Sequence, residues 1–467
     1  MNNSYFSHAT GNHAGSVFLN HAERQSALAG QSASCSASPH FSVVCEFGQD
    51  GRIRRKTELG PGFEDLYSYQ YDRSGHLAAV CHNGKNEEEY RFNSKGQRIY
   101  QQVLWNGARQ GRSLHQIMHG SAFGGQTLEY NKLGQLERFG GMQSFSYDAR
   151  GNVSATGITH IGRKVLYQYV NDTCLESARY PNGDEVLFEY GFRGRLSVCP
   201  SRKFLNGKLV AEYAWESPKR LKQCVDHAQG IEFNFSYSSV NSHCPSILNL
   251  HILRATHLNL HLFAMLGQEK TATLHCGCDQ AGTLKLVTDE NGRSIKRIQY
   301  DSFGNILSET EPEFRLPIGF AGGLQDYDTG LVILGHRAYD PVVGRFLSKD
   351  PLGDTGGEGD LYDYCIDDPV NLVDPEGLMP KLGIELVKLI AELVFPPQVG
   401  PYQSYQDILN DIIRLENAIK QLKMAKEQYH DPLDKQYIDY EVAQVEQMLK
   451  KAHEEKRKAE KEGWHLR

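Results

Sequence analysis

The sequence predicts a mainly β protein, in which a winding antiparallel sheet is followed by a small all-α helical hairpin at the C-terminus. Three observations lead to this fold class. The 467 residues include 45 Gly but only 17 Pro, with 24 Tyr and 20 Phe, a composition typical of aromatic-rich strands joined by turns. A short turn motif recurs through the first two thirds of the chain. After residue 378 the hydrophobic spacing becomes that of helices.

Charge and hydropathy exclude several function classes. The formal net charge is −7, and no long basic run precedes residue 379, so nucleic-acid binding through the sheet is disfavoured. The N-terminal MNNSYFSHATGNHAGS has no basic segment followed by an apolar one, which predicts no secretory signal. The most apolar stretch, from Ser246 to Leu266, is interrupted by His and Arg residues. Its alternating leucines around Leu260 predict a half-buried strand and not a membrane span.

The ten cysteines lack the dense, regular spacing of small disulfide scaffolds. We therefore expect reduced and mostly buried thiols. Cys276 and Cys278, beside His275, are the only close pair, and they lack the second pair of ligands that a closed zinc site needs. No metal site and no cofactor are predicted.

Taken in order, the chain begins with a segment, residues 1–40, that is expected to be a flexible arm. Residues 41–316 then repeat one unit: an aromatic-rich strand, Asp or Asn, two variable residues, Gly and a new strand. The instances include YQYDRSGHL, YRFNSKGQRI, LEYNKLGQL, FSYDARGNV and IQYDSFGNI. The glycines of the eight units are Gly75, Gly96, Gly134, Gly151, Gly194, Gly282, Gly292 and Gly304.

The unit predicts a tight corner between antiparallel strands. An Asp or Asn side chain can accept hydrogen bonds from backbone N–H groups just ahead of it and so start a turn. Gly three residues later tolerates the positive φ that other residues resist. Because the units are irregularly spaced, they indicate one long winding sheet and not a uniform solenoid or propeller.

These units resemble the tyrosine–aspartate (YD) repeats of the Rhs family. The block LHCGCDQAGTLKLVTDENGRSIKRIQYDSFGNI is similar to that family's most constant repeats, with Cys278–Asp279 in place of its opening tyrosine–aspartate. Residues 317–378 resemble the Rhs-associated core domain, through GFAGGLQDYDTGLVILGHRAYDPVVGRFLSKDPLG and DLYDYCIDDPVNLVDPEGL. The resemblance implies a β-shell that encloses a C-terminal cargo, as in bacterial polymorphic toxins and toxin-complex C subunits. Family shells contain more repeats, so a short or open shell is expected here.

The resemblance also implies self-cleavage, because the family's core domain is an intramolecular aspartyl protease that cuts after DPxGL. Carried over to this sequence, the scissile bond joins Leu378 to Met379. The catalytic residues are then Asp350 of FLSKDP, Asp374 of DPEGL and, as a positioner, Arg345 of GRF, with Pro375 and Gly377 completing the cleavage motif.

Two aspartates suit this chemistry, since peptide hydrolysis needs one ionised carboxylate to activate water and one protonated carboxyl to polarise the carbonyl. Which aspartate has which role stays open. A guanidinium could hold one carboxylate or the developing oxyanion. The alternative interpretation is structural, because Asp340, Asp350, Asp368 and Asp374 all precede Pro, and Asp-Pro is a common turn pair.

Residues 379–467 are the expected cargo. Leu382 to Val394 predicts a short amphipathic helix. Two longer patterns, Ile408 to Leu422 and Ile438 to Ala452, predict helices that pack as an antiparallel hairpin. No nucleophile elbow, metal-ligand pair or phosphate loop is present. His430, His453 or His465 could serve a small nuclease, and the first helix could perturb membranes. The alternatives are an inert remnant or an adaptor.

The expected function is therefore an Rhs-type toxin whose shell holds and releases a C-terminal effector by one turnover of autoproteolysis. Its partners would be its own C-terminal region, a secretion spike protein and an immunity protein. The resemblance implies delivery from the bacterial cytoplasm by a non-Sec route such as type VI secretion, in interbacterial competition. The alternative is a truncated, non-enzymatic scaffold or adaptor, or a carbohydrate-binding surface β-array with an inert tail.

Overall fold

The computed structural model describes residues 33–48, 52–104, 124–141, 143–158, 163–191, 197–238, 243–254, 256–351 and 360–378, together with scattered helical positions between residues 405 and 461. Of the eight predicted turn glycines, Gly194 lies outside these residues. Residues 1–32 of the expected arm also lie outside the described residues. Residues 33–38, which were expected to belong to the arm, form the first strand.

The dominant element is an antiparallel sheet of 23 strands. Its first strands are β1 Ala33–Ser38, β2 Phe41–Phe47, β3 Ile53–Gly60, β4 Phe63–Tyr71, β5 Leu77–His82, β6 Lys85–Phe92, β7 Arg98–Val103, β8 Gly124–Tyr130, β9 Leu136–Phe139, β10 Gln143–Tyr147, β11 Val153–Ile158 and β12 Arg163–Val170. It continues with β13 Cys174–Arg179, β14 Glu185–Tyr190, β15 Pro200–Leu205, β16 Lys208–Ser217, β17 Arg220–Asp226, β18 Ile231–Ser236, β19 Ile247–Ile252, β20 Thr271–Cys278, β21 Leu284–Thr288, β22 Ser294–Tyr300 and β23 Ile306–Glu309. Each strand pairs with the next one along the chain.

The apolar side chains of this sheet form a core that joins distant strands. In β2, the side chains of Phe41, Val43 and Cys45 are buried and alternate with more exposed residues, as expected for a sheet with one covered face. They share one hydrophobic cluster with Leu286 of β21 and with Phe303. The mainly β fold predicted from composition and turn spacing is confirmed.

The predicted corners have one repeated geometry. In the turn after β4, Asp72 Oδ1 accepts the backbone N–H groups of Ser74 (2.8 Å) and His76 (3.0 Å). The same two bonds form in the turns of Asn93, Asn131, Asp148, Asp279, Asp289 and Asp301. Gly75, three residues after Asp72, has φ +92°, a conformation that glycine adopts without steric cost.

At several corners of the sheet, a tyrosine at or just after the end of a strand bonds to the start of the preceding strand. Tyr71 of β4, for example, donates its hydroxyl hydrogen to the carbonyl oxygen of Ile53 at the start of β3 (2.9 Å). The equivalent donors and acceptors are Tyr130 and Arg98, Tyr147 and Leu136, Tyr169 and Val153, Tyr190 and Leu175, and Tyr237 and Leu221. We call these bonds the tyrosine links.

Two sequence expectations are wrong in this region. Residues Leu260–Met265 form helix α1 and not a strand, because the chain leaves β19 at Ile252 and folds back before β20. The expectation of reduced thiols fails for Cys244 and Cys278, which are joined as a disulfide. Seven other described cysteines are free thiols.

The four strands β24 Leu324–Gln325, β25 Val332–Leu334, β26 Arg337–Asp340 and β27 Arg345–Phe346 form a second, smaller antiparallel sheet. They belong to the core block, defined here as residues 317–349 and 362–377. The core block bonds directly to the corners of the long sheet. Asn305 donates to the carbonyl oxygen of Pro341 (2.7 Å), and Val153 N–H donates to that of Leu347 (2.7 Å).

The C-terminal region contains two helices in antiparallel arrangement. Helical positions occur from residue 405 to 423 and from 442 to 461. Tyr405 hydroxyl donates to Glu460 Oε1 (2.6 Å), and Lys423 Nζ donates to Glu446 Oε1 (3.0 Å). The start of one helix thus meets the end of the other, which confirms the predicted hairpin. The helix expected from Leu382 to Val394 lies outside the described residues.

None of the helices in the described part of the chain combines the length and the apolar character that a membrane crossing requires. Among the same residues, no cluster of three or more His, Cys, Asp or Glu side chains is suited to a metal ion.

The buried ion cluster around Lys203 gives a first testable prediction. Lys203 Nζ lies 2.5 Å from Asp326 Oδ2 and 2.5 Å from Asp328 Oδ2. Replacing Lys203 with Met would remove the cation from the Asp326 carboxylate, which is 2% exposed, and breaking such a buried pair typically costs about 3–5 kcal/mol. We expect urea denaturation of Lys203→Met to show a loss of that size.

The control is Arg150→Met, which removes a surface ion pair. The side chains of Arg150 and its partner Asp172 are 64% and 78% exposed. Its cost should stay below about 1 kcal/mol. Equal losses in the two variants would contradict a structural role for the Lys203 cluster.

Candidate functional site

The residues predicted for self-cleavage fall in two structural units. The first unit contains Met1–Lys349 and Tyr362–Gly377, and the second contains Asp350–Leu361 and Leu378–Arg467. Arg345, Asp374, Pro375 and Gly377 therefore belong to the first unit. Asp350 belongs to the second, where its backbone N–H donates to the carbonyl oxygen of Leu361 (3.0 Å). Leu378 also belongs to the second unit, and Met379 lies outside the described residues.

The DPEG part of the cleavage motif forms a tight turn. Gly377 N–H donates to the carbonyl oxygen of Asp374 (3.3 Å), which closes the turn. His336 N–H, between β25 and β26, donates to the carbonyl oxygen of Glu376 (2.9 Å). The backbone immediately before Leu378 is therefore fixed to the β25–β26 hairpin.

Arg337 holds both ends of this turn. Its Nε donates to the carbonyl oxygen of Gly377 (2.7 Å), and its Nη2 donates to Asp374 Oδ2 (3.0 Å). The guanidinium carbon lies 3.6 Å from the ring centroid of Phe346, and the side chain is 1% exposed. A planar guanidinium can bind two acceptors at once with fixed geometry. Arg337 thus couples the Asp374 carboxylate to the backbone that leads to the proposed scissile bond.

Two glycines allow the turn and the hairpin to approach each other. Gly335 has φ +48°, and a Cβ there would lie 2.3 Å from the carbonyl oxygen of Glu376. Gly377 has φ +63°, and a Cβ there would lie 2.4 Å from the carbonyl oxygen of Leu334. A side chain at either position would collide with backbone. The close packing of Asp374–Gly377 therefore depends on glycine at both positions.

Arg345 lies in β27. Its backbone is opposite Asp340 in the β26–β27 ladder and forms an isolated antiparallel β-bridge with Asp363. Its guanidinium carbon is 5.0 Å from the ring centroid of Tyr130 and 5.8 Å from that of Tyr362. These distances are typical of cation–π contacts. Arg345 is thereby anchored to an aromatic partner in β8 of the long sheet.

A strained segment lies close to Asp374. Cys365, Ile366 and Asp367 all have positive φ, between 52° and 56°, which is unusual for three successive residues that are not glycine. Burial, and next the charge of Asp374, raise the pKa of the Cys365 thiol well above its ordinary value. The Asp374 charge therefore acts on the buried Cys365 thiol and is bound directly by the Arg337 guanidinium.

Sequence reasoning missed Arg337, although one signal for it was present. In LVILGHRAYD the arginine interrupts a run of apolar strand residues. A guanidinium in a buried strand must find charged or carbonyl acceptors nearby. That rule could have placed Arg337 beside the acidic DPEGL motif, but it could not have identified the carbonyl of Gly377.

Comparison with known proteins finds similarity between part of this chain and YD-shell sequences. Residues 258–357 match the protein-family model described as Teneurin YD-shell. Teneurin-1 of Gallus gallus is 27% identical over 314 residues, which cover 66% of this chain and 10% of that protein. Teneurin-m of Drosophila melanogaster is 26% identical over 349 residues, or 73% of this chain and 11% of that protein. The repeat sheet is similar to the teneurin YD-shell.

This chain thus spans about a tenth of the length of the curated relatives it matches. Among solved structures, the crystal structure of TcdB2-TccC3-Cdc42 has a TM-score of 0.46 and 17% identity, and it covers 72% of this chain and 18% of that chain. The structure of the Photorhabdus luminescens Tc holotoxin pore has a TM-score of 0.41 and 16% identity, over 73% of this chain and 18% of that chain. The residues that match the Teneurin YD-shell model end at residue 357, before Asp374.

The glycine contact gives a second prediction. Gly335→Ala would press a methyl group against the carbonyl of Glu376 in addition to straining φ, so we expect a loss of roughly 3 kcal/mol in the free energy of unfolding. The matched control is Gly84→Ala, where φ is +80° but nothing lies within 4 Å of the added Cβ. Strain alone should cost about 1 kcal/mol there. If both variants unfold at the same urea concentration, the close approach at Gly335 is contradicted.

Proposed function

We propose that the YD-repeat sheet and the core block hold the C-terminal region, and that this region is released by one intramolecular cut between Leu378 and Met379. The observation that carries the proposal is the fixation of the Asp374–Gly377 turn by Arg337 directly before Leu378. A bond cut by its own chain must be presented in one conformation, since a reacting group and its target gain most from fixed proximity.

The proposed chemistry is hydrolysis by a pair of aspartates, Asp350 and Asp374. One carboxylate takes a proton from the attacking water while the other carboxyl donates a hydrogen bond to the carbonyl of Leu378. Arg337 keeps the Asp374 carboxylate and the Gly377 carbonyl in a fixed relative position. Arg345 has a positioning role in β27, five residues before Asp350 along the chain.

The cut itself is the third prediction. Purified wild-type protein should give two masses, which correspond to residues 1–378 and 379–467. Asp350→Asn and Asp374→Asn should each give one intact chain, because an amide cannot replace a carboxyl in proton transfer. Arg337→Lys should slow cleavage at least tenfold, since an ammonium cannot bind both acceptors in the same plane. The rate is followed by mass spectrometry after a cell-free synthesis pulse.

Arg150→Lys, on the surface, is the matched control and should leave the cleavage rate unchanged. An intact wild-type chain would contradict the proposal. A cut between Asp374 and Pro375 would also contradict it, because acid-labile Asp-Pro bonds break during handling without an enzyme.

The released helical region is proposed to be the effector, delivered with a secretion spike protein and neutralised in the producing cell by an immunity protein. The fourth prediction tests this role. Inducing residues 379–467 in the cytoplasm of a susceptible bacterium should arrest growth. Inducing the complete Asp374→Asn chain, which keeps the region attached, should not. Normal growth in both cases would favour the adaptor or remnant interpretation, provided that immunoblots show equal amounts of the helical region.

A further inference from the structure

Lys56, Glu58 and Asp279 belong to a buried cluster that also includes Lys285, whose Nζ lies 3.5 Å from Glu58 Oε1. Lys56 and Glu58 project from the same face of β3, and Asp279 directly follows β20. Lys56 Nζ lies 2.7 Å from Glu58 Oε1 and 3.5 Å from Asp279 Oδ2. The three side chains are 6%, 2% and 8% exposed. A nucleophile, a proton carrier and a carboxyl carbon are therefore held together away from solvent.

Asp279 differs from the other aspartates of the repeated turn. In each turn, Oδ1 accepts two backbone N–H groups. In the turns of Asp72, Asp148, Asp289 and Asp301, Oδ2 contacts the side chain four residues later. In the turn of Asp279 that residue is Thr283, whose hydroxyl oxygen accepts the N–H of Ala321 instead (3.1 Å). Asp279 Oδ2 is instead contacted by Nζ of Lys56, which lies 223 positions away in the sequence.

We propose that Lys56 and Asp279 join in an intramolecular isopeptide bond, with Glu58 as the proton carrier. The product is an amide between Lys56 Nζ and Asp279 Cγ. It links β3, near the start of the long sheet, to the turn after β20.

The reaction balances without any co-reactant. It begins from the ion pair, since burial lowers the pKa of Lys56 but the charge of Glu58 and its other neighbours outweighs burial and holds that pKa well above its ordinary value. Glu58 takes one proton from the ammonium, and the neutral amine attacks Asp279 Cγ. The nitrogen then loses a second proton. Both protons pass to Oδ2, which leaves as water, and Oδ1 remains as the amide oxygen.

The turn geometry supports the tetrahedral intermediate of this reaction. Asp279 Oδ1 accepts the N–H groups of Ala281 and Thr283, both at 3.0 Å. Two backbone donors fixed on one oxygen stabilise negative charge that develops there during attack. Lys56 Nζ lies 3.5 Å from Asp279 Oδ2, so the amine and its target carboxyl are neighbours before the reaction, which reduces the entropic cost of attack.

The surroundings also suit a condensation that releases water. Lys56 Nζ lies 4.8 Å from the ring centroid of Tyr67, which excludes bulk solvent from one side. Beside the cluster is a cavity of about 40 Å³, lined by Lys56, Tyr69, Asp279 and Tyr300 among others. A cavity of this size has room for an expelled water molecule.

Of the three other buried lysines among the described residues, Lys285 shares Glu58 with Lys56, and the remaining two serve as internal comparisons. Lys203 contacts two carboxylates, but Asp328 is 26% exposed, so water can reach that cluster. Lys296 contacts Glu309 at 2.6 Å, and its other recorded acceptors are backbone carbonyls, which cannot carry a proton. The described residues thus provide the complete set of a lysine, a dry proton carrier and a carboxyl with two N–H donors at Lys56.

The fifth prediction is that the polypeptide that contains Lys56 and Asp279, measured after reduction of the Cys244–Cys278 disulfide, is lighter than its sequence mass by one water. Trypsin should fail to cut after Lys56, and tandem mass spectrometry should find one branched peptide that contains Lys56 and Asp279. Lys56→Arg and Asp279→Ala should restore the full mass. Glu58→Gln should slow bond formation at least tenfold after refolding. Lys203→Arg is the matched control and should keep the branched peptide.

A full sequence mass in the wild-type chain, with normal tryptic cleavage after Lys56, would overturn the proposal, whether or not any variant folds. The proposed cut after Leu378 lies outside the segment from Lys56 to Asp279, so cleavage and crosslinking are scored independently. A bond that closes so long a loop should also raise the melting temperature over that of Lys56→Arg by about 10 °C. Equal melting temperatures would contradict the crosslink as well.

Discussion

The structure depends on one interaction, the pair of backbone N–H groups that each turn Asp or Asn binds through a single side-chain oxygen. A strand that reverses direction leaves N–H groups exposed at the corner, and these need acceptors wherever the corner is covered. The Asp or Asn oxygen supplies the acceptor from within the turn, as Asp301 does for Phe303 and Asn305. The corner is then saturated and compact, so another segment can pack on it without burying unsatisfied backbone.

The core block packs on these corners, whose backbone N–H groups already have acceptors. Asn305, itself part of a turn, donates to Pro341, and Gln280 of the preceding repeat block donates to the carbonyl oxygen of Val370 (3.1 Å). The side chain of Arg98 reaches the carbonyl of Val343. These bonds come from β7 and from two turns much later in the chain, so the position of the core block depends on distant parts of the sheet. The turn that Arg337 holds before Leu378 therefore rests on a rigid support, which a single-turnover reaction within one chain requires.

How much the sequence could predict depended on whether the determinant was local. The corners were predictable because the oxygen acceptor and the glycine of each lie within five residues of each other. The helical hairpin was predictable because its apolar spacing is periodic. The disulfide was not, since Cys244 and Cys278 are 34 positions apart and neither has a local pairing signal. Helix α1 was missed because alternating leucines fit a strand and one face of a short helix equally well. Arg337 was missed because its acceptors come from a segment 37 to 40 residues later.

The disulfide stands where several other repeats have a tyrosine link. Cys278 occupies the last position of β20, and Cys244 lies just before β19, so the pair joins the same two places that Tyr71 and Ile53 join in an earlier repeat. A hydrogen bond between a hydroxyl and a carbonyl does not depend on the redox potential of its surroundings, whereas a disulfide does. A chain that folds among cellular reductants would keep its tyrosine links and lose this one tie, and exposure to an oxidant would close it. The covalent state of this corner therefore depends on the redox potential around the protein, whereas that of the other corners does not.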